Sequence, residues 1–170
     1  RCLSLATILA GEGWRVAFAS RPGTSETVPA LAASGFPILN LGGRTSGEAD
    51  FMRNHFENKV DWLIVDHYRL DREFEDACRP WVKRVVAIDD LANRPHAADL
   101  LIDFTPSRDK VDYKDLAPAE ATLFLGPHYA ILREGFRESR RAALCRRDAV
   151  PVNRMLINMG ATDPTNATGL

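Results

Sequence analysis

The sequence predicts an α/β protein with a Rossmann-like open parallel sheet, and three observations support this fold class. Short, almost continuous apolar runs such as WLIVD (62–66) are typical of buried parallel strands. Helical segments separate these runs, as parallel strands require. Acidic residues or glycines stand at several predicted carboxyl ends, where such sheets bind ligands.

The first half of the chain alternates between helix and strand signals. Leu5, Ile8 and Leu9 predict a helix at the start of the chain, because they fall on one helical face and Gly11 can end it. The predicted elements that follow are a strand over 14–20, a short helix over 25–35, a strand over 36–41, a weak helix ending near residue 58, and the strand over 62–66.

The second half continues the alternation and then changes character. Its predicted elements are a helix over 72–81 closed by Pro80, strands over 82–90, 99–104 and 121–126, a polar helix over 132–147, a linker over 148–153, and a new strand over 154–160. The chain opens within a helix and closes as an element begins. We therefore expect a fragment cut at both ends, which lacks a first strand and its loop.

Composition excludes several functional classes. The net charge of −1 provides no strong field for nucleic acid or a membrane surface, and no apolar run is long enough to span a bilayer. The three cysteines are far apart and form no CxxC, which argues against a zinc site or a disulfide framework. These features favour a cytoplasmic protein and leave its oligomeric state open.

Asp66, His67 and Tyr68 follow a predicted strand directly and form the first candidate site. A carboxylate and an imidazole can exchange protons near neutral pH, and a phenol can orient a hydroxyl or a phosphate. In the alternative interpretation, Asp66 caps the next helix while His67 and Tyr68 cover the sheet edge.

Asp89 and Asp90 end another predicted strand. Adjacent acids could bind a divalent cation, as in a receiver domain, or raise one another's pKa, and one of them could instead cap a turn. Arg94 could reach a carboxylate or phosphate. After the strand over 121–126, Tyr129 is expected to pack, and Arg133 faces either a ligand or solvent.

The segment NMGATDPTN (158–166) predicts a strand, a turn of small residues and a helix that starts at Pro164. Free backbone N–H groups at such a helix start suit a diphosphate, although the segment is neither a Walker loop nor a GxGxxG motif. The alternative is an ordinary strand-to-helix turn capped by Asp163. The candidate diphosphate-binding residues here are Gly160, Ala161, Thr162, Asp163 and Asn166.

Five spaced motifs together resemble one known family. They are RCLSLA, VDHYRLD, IDDLANRPHAADLLIDF, FLGPHYAILREGF and NMGATDP, and they run over nearly the whole chain. Their order is similar to that in the PseG family, the UDP-2,4-diacetamido-2,4,6-trideoxy-β-L-altropyranose hydrolases of pseudaminic acid biosynthesis.

The resemblance implies a GT-B fold similar to that of the glycosyltransferase MurG, with the ligand between two Rossmann-like domains. Residues 1–149 would be most of the N-terminal domain, and 150–170 the start of the C-terminal nucleotide-binding domain. The implied reaction is hydrolysis of a UDP-sugar substrate to UDP and free sugar, with no metal and no other cofactor.

The resemblance also assigns roles to residues. The family's main catalytic histidine belongs to a Gly-x-Gly-His-x-x-Arg loop, of which Arg1 matches the final arginine, so the fragment is expected to be inactive. Tyr68 becomes the second active-site candidate, flanked by Asp66 and His67. The residues assigned to substrate binding are Arg1, Asp89, Asp90, Arg94, Tyr129 and Arg133. Ala161 stands where the family commonly has glycine.

Two other hypotheses remain open. A GT-B glycosyltransferase would use the same fold and donor but would need an acceptor for turnover. A receiver-like or nucleotide-binding module would bind magnesium at Asp66, Asp89 and Asp90, although the late predicted strands end without the lysine that a receiver uses.

Overall fold

A computed structural model of the chain describes residues 1–43, 46–56, 60–147 and 155–156. Its helices are α1 (Cys2–Gly11), α2 (Thr24–Thr27), α3 (Pro29–Ala32), α4 (Glu48–His55), α5 (Arg72–Cys78) and α6 (Glu134–Arg147). Its strands are β1 (Phe18–Ser20), β2 (Ile38–Asn40), β3 (Val60–Val65), β4 (Val82–Ile88), β5 (Leu100–Asp103) and β6 (Thr122–Leu125). Short 3₁₀ helices cover Lys110–Tyr113 and Pro127–Tyr129.

Every strand pairing in the described residues is parallel, which confirms the predicted α/β class. The strands β1 and β2 form one sheet, and β3, β4, β5 and β6 form a second sheet in chain order. Helices α4 and α5 precede and follow β3 and pack on one another. The crossover connections of parallel strands bring the carboxyl ends of neighbouring strands to the same edge.

The structure differs from the sequence-based prediction in two elements of the first half. The helix predicted over 25–35 is two short helices, because Val28 leaves the helical conformation and Pro29 starts a new first turn. Strand β1 covers only the last three residues of the run predicted over 14–20. The strand predicted over 154–160 and the predicted domain boundary after residue 149 fall outside the described residues, apart from positions 155 and 156.

The core lies on and beside β4, which has a strand on each side. Val85 and Leu101 are fully buried, and the side chains of Cys78, Trp81 and Tyr113 pack into the same cluster. Two-sided burial explains why β4 is the longest strand and has no polar residue over its last four positions. Within the described residues, no helix has both the length and the apolar character that crossing a membrane requires.

Candidate functional site

The carboxyl ends of β3 and β4 bring together four residues from three separate stretches of the sequence. Asp66 follows β3, Asp90 lies two residues beyond β4, and Arg1 precedes α1. Tyr68 lies in the turn after β3 and donates a hydrogen bond to Asp90 Oδ2 over 3.2 Å. We call Arg1, Asp66, Tyr68 and Asp90 the edge cluster.

Arg1 joins the two carboxylates of the edge cluster. Its Nε lies 3.0 and 2.9 Å from the two carboxylate oxygens of Asp66, and its Nη1 lies 3.0 Å from Asp90 Oδ2. The guanidinium also lies over the ring of Phe104, 5.5 Å from the ring centre. Such planar, two-sided contacts suit arginine better than lysine, because the guanidinium donates in fixed directions.

The electrostatics of the edge cluster keep Asp66 ionised. Burial alone would raise the pKa of this carboxyl, but hydrogen bonds from Arg1 and Cys2 outweigh burial and hold its pKa below the ordinary value. Burial and the charge of Asp66 raise the pKa of the Cys2 thiol to about 12. Cys2 is therefore a neutral hydrogen-bond donor at pH 7, not a thiolate nucleophile.

His67 is a neutral donor in this arrangement. Its Nδ1 accepts a hydrogen bond from the backbone N–H of Arg69 over 3.1 Å, so the neutral ring carries its proton on Nε2. Burial, and then the charge of Arg21, lower the pKa of His67. An imidazole in this tautomer can donate a hydrogen bond to a ligand from Nε2 but cannot take up a proton there.

A second ion pair lies near His67 at the carboxyl end of β1. Arg21 donates to Glu48 Oε1 through Nε at 3.0 Å and Nη2 at 2.8 Å. Glu48 is buried at the start of α4. Its pairing with Arg21 ties α4 to the segment that follows β1 and borders the region around His67.

Asp89, which precedes Asp90 in the sequence, is buried and accepts hydrogen bonds from backbone and side-chain donors. It accepts hydrogen bonds from the backbone of Leu91 and Ala92, from Arg94 Nη1 at 2.7 Å and from the Tyr113 hydroxyl at 3.0 Å. Burial favours the neutral acid, but the His96 ring, and after it Leu91, Arg94 and Tyr113, hold the pKa of Asp89 well below its ordinary value. Its neighbour Asp90 is the residue that reaches Arg1 and Tyr68.

Arg94 supports the edge rather than facing outward. Besides Asp89, it donates to the carbonyl oxygens of Leu70 and His67, at 3.0 and 3.3 Å. Arg94 thereby joins the loop that follows β4 to the turn that contains Tyr68. This role accounts for the burial of its side chain, of which 11% is exposed.

Glu75 and His96 extend the buried network around Asp89. His96 Nδ1 lies 2.7 Å from Glu75 Oε1, and His96 Nε2 lies 3.6 Å from Asp89 Oδ2. Burial opposes protonation of His96, but Asp89 and Glu75 outweigh it and raise the pKa of its ring to about 9. The protonated imidazole therefore lies between two carboxylates and links α5 to the loop after β4.

The other predicted site residues lie apart from the edge cluster. Tyr129 follows β6, packs on Phe124 with ring centres 5.0 Å apart, and is about half exposed. Three strand spacings separate β6 from β3, a distance of about 14 Å. Arg133 lies over the ring of Phe136, 5.5 Å from its centre. The five predicted diphosphate-binding residues (Gly160, Ala161, Thr162, Asp163 and Asn166) lie outside the described residues.

Sequence reasoning missed several residues at this edge. Arg21 follows β1 just as Asp66 follows β3, so the position of a charged side chain after a strand could have indicated it. Glu48, Cys2 and Phe104 carry no such signal, because only the fold brings them to Arg21, Asp66 and Arg1. Within 1–43, 46–56 and 60–147, no group of three His, Cys, Asp or Glu side chains is arranged to hold a metal ion.

Comparisons with known proteins give a distant relative. No family model matches the chain. An uncharacterized protein of Methanocaldococcus jannaschii is 24% identical to it over 145 residues, which cover 84% of this chain. The chain spans 29% of that relative's length.

Proposed function

We propose that this chain is part of an enzyme that hydrolyses a UDP-linked 2,4-diacetamido-2,4,6-trideoxy sugar to UDP and free sugar. The observation that carries this proposal is the edge cluster, because Asp66, Tyr68 and Asp90 converge at the edge where parallel sheets bind ligands. The five motifs described above, which resemble the PseG family, supply the substrate class.

The charge of the edge cluster favours the sugar over the diphosphate as its ligand. One guanidinium faces two carboxylates, so the cluster of Arg1, Asp66 and Asp90 carries a net charge of about −1. A negative site accepts hydrogen bonds from sugar hydroxyls and amide N–H groups but repels phosphate oxygens. The proposal therefore assigns the diphosphate to the segment around Gly160 and not to this cluster.

Within this proposal the residues have distinct roles. Asp90 and Asp66 accept hydrogen bonds from the sugar, Tyr68 orients it through its hydroxyl, and His67 donates from Nε2. Since His67 carries its proton on Nε2, the base that activates water is a different group. Diphosphate is a good leaving group once its charge is stabilised by hydrogen bonds, so the reaction needs no dedicated acid on this edge.

The test uses the protein made from its complete reading frame. It is incubated with UDP-2,4-diacetamido-2,4,6-trideoxy-β-L-altropyranose and EDTA, without an acceptor, and UDP and free sugar are followed by proton NMR. The proposal expects both products to form. Turnover that appears only with an acceptor would instead identify a transferase, and the absence of any turnover would reject the UDP-sugar substrate.

Variants locate the chemistry on the edge cluster. Tyr68→Phe and Asp66→Asn each remove a polar contact, and we expect kcat/KM to fall roughly 10- to 100-fold, the loss typical of a hydrogen bond to a charged group. Asp61→Asn is the matched control. Asp61 lies near the start of β3, at the opposite end from Asp66, and pairs with Lys83 on the surface. Equal effects at Asp61 and Asp66 would contradict the assignment.

A further inference from the structure

Arg108 lies in the loop after β5, and its guanidinium reaches one residue of the edge cluster from behind. It donates from Nε to Asp103 Oδ2 and from Nη2 to the backbone carbonyl oxygen of Asp90, the latter over 3.0 Å. Arg1 and Tyr68 bind the carboxylate of the same Asp90. Arg108 therefore binds the main chain of the residue whose side chain belongs to the edge cluster.

Asp103 anchors Arg108 in a fixed position. This carboxylate ends β5, is fully buried, and also accepts a hydrogen bond from the backbone N–H of Thr105 over 2.8 Å. Burial favours the neutral acid, but Thr105, and after it Tyr113 and Arg108, hold the pKa of Asp103 below its ordinary value. A guanidinium that pairs with a buried carboxylate has little freedom to turn, because its donors point in fixed directions.

Tyr113 makes a second link between the end of β5 and the loop after β4. Its hydroxyl lies 2.8 Å from Asp103 Oδ2 and 3.0 Å from Asp89 Oδ2, and its ring is buried. The guanidinium of Arg108 lies over this ring, 6.0 Å from the ring centre. Tyr113 thus holds Asp89 through its carboxylate, while Arg108 holds Asp90 through its carbonyl oxygen.

The backbone of Asp90 lies just beyond the hydrogen bonds of the sheet. The N–H of Asp89, one residue earlier, still donates to the carbonyl oxygen of Ile102 on β5 over 3.0 Å. The carbonyl oxygen of Asp90 instead accepts from side chains, Arg108 at 3.0 Å and the Thr105 hydroxyl at 3.5 Å. The loop after β5 therefore fixes the backbone that carries the Asp90 carboxylate.

We propose that Arg108 is a positioning residue of the sugar site, which holds the backbone of Asp90 so that its carboxylate faces Arg1, Tyr68 and the substrate. The effect on turnover rests on the proposed function, because Asp90 is there an acceptor for the sugar. A displacement of about 1 Å at a group that orients the substrate can lower the rate about 100-fold. A residue that touches neither substrate nor edge-cluster side chain can thus control the reaction.

The kinetic test uses Arg108→Lys and Arg108→Gln in the protein made from its complete reading frame, with UDP release from the UDP-sugar as the readout. Lysine keeps a charge beside buried Asp103, so we expect this variant to fold, but its single nitrogen cannot occupy the positions of both Nε and Nη2. We expect kcat/KM to fall about 10- to 100-fold in both variants. Full activity of Arg108→Lys would overturn the proposal.

A double-mutant cycle with Asp90→Asn separates positioning from a general structural role. If Arg108 acts through Asp90, the two substitutions impair the same group, and Arg108→Lys should cost less than about threefold in the Asp90→Asn background. If Arg108 contributes only to folding, its cost is the same in both backgrounds. Multiplicative losses would therefore overturn the proposal.

Arg79→Gln is the matched control. Arg79 donates to Asp99, just before the start of β5, and to the carbonyl oxygen of Ala97, so it also joins one carboxylate to one backbone oxygen. Its side chain is 32% exposed, against 16% for Arg108. We expect kcat/KM of Arg79→Gln to stay within about twofold of the wild type, since Asp99 lies at the opposite end of β5 from Asp103. Equal kinetic losses at Arg79 and Arg108 would overturn the proposal.

Crystal structures give a readout that needs no substrate. In Arg108→Lys we expect Asp90 Oδ2 to lie more than about 3.5 Å from the Tyr68 hydroxyl, beyond hydrogen-bond distance, and in Arg79→Gln to stay within it. An unchanged Asp90 in Arg108→Lys would overturn the proposal. If the wild type releases no UDP, the proposed function fails, while the position of Asp90 in Arg108→Lys still decides this inference.

Discussion

His96 is a buried histidine whose charge contributes to folding. The ring is 1% exposed, with Glu75 on one side and Asp89 on the other, and Arg94 and Tyr113 bind the same Asp89 carboxylate. A histidine in an unfolded chain has a pKa of about 6.5, whereas that of His96 is raised to about 9. Folding therefore takes up a proton between these two values.

The sign of this linkage gives a pH prediction. The contribution of His96 to stability is fully present below pH 6.5 and is lost as the pH rises through 9, by up to about 3 kcal/mol. We expect the free energy of unfolding of the wild type, minus that of His96→Gln, to fall over this range. Urea denaturation from pH 6 to 10 measures it.

A matched control tests the assignment to His96. His128 is an exposed histidine, and His128→Gln makes the same change away from the buried network. We expect this variant to follow the wild-type pH dependence. If the difference in the free energy of unfolding between the wild type and His96→Gln stays constant across this pH range, His96 is neutral in the folded protein.

Asp89 and Asp90 show why the sequence could predict this edge but not its details. Both acids follow an apolar strand, and the pattern predicts acidic groups at a carboxyl end. Successive side chains near a strand end point to opposite sides, so one acid of the pair turns inward and the other outward. The sequence does not indicate which, and only the fold shows that Arg94 and Tyr113 bind Asp89.

At the level of the elements, strand ends were easier to predict than helix interruptions. Apolar runs located β3, β4, β5 and β6 to within a few residues, because burial on both faces leaves a strong compositional signal. The break between α2 and α3 depends on Val28 and Pro29 alone.

Gly126 directly follows β6 and has a backbone conformation that other residues avoid. It gives a prediction about the turn that leaves this strand. Its φ is +92° and its ψ is 173°, a region that is almost restricted to glycine. A Cβ at this position would contact nothing within 4 Å, so the cost of Gly126→Ala is backbone strain rather than a clash. We expect a loss of about 1–3 kcal/mol in urea denaturation.

Gly11→Ala is the matched control for this substitution. Gly11 is the last residue of α1, has an ordinary helical backbone, and also has open space where a Cβ would be. Here alanine reduces the entropy of the unfolded chain, and we expect a gain of about 0.4–1 kcal/mol. The same change should therefore have opposite signs at the two glycines. A loss at both positions would contradict the assignment to backbone conformation.

Over the molecule as a whole, stability is concentrated at the centre of the larger sheet. Leu101 on β5 is fully buried against the side chains around β4, whereas α6 buries none of its residues and leaves Leu144 45% exposed. A helix that buries none of its residues adds little to the core, because helices gain most of their stability from a packed apolar face. The described residues therefore place α6 outside the packing that holds the sheet together.

Alanine substitutions at Leu101 and Leu144 measure how the stability is distributed between the larger sheet and α6. We expect Leu101→Ala to lower the free energy of unfolding by about 2–5 kcal/mol, because it leaves a cavity in a fully packed region. Leu144→Ala should change it by less than about 0.5 kcal/mol, as is usual for exposed positions. Urea midpoints followed by circular dichroism give both values. If Leu144→Ala lowers the free energy of unfolding almost as much as Leu101→Ala, then α6 packs against another part of the protein. In that case the larger sheet is not the protein's only stabilising core.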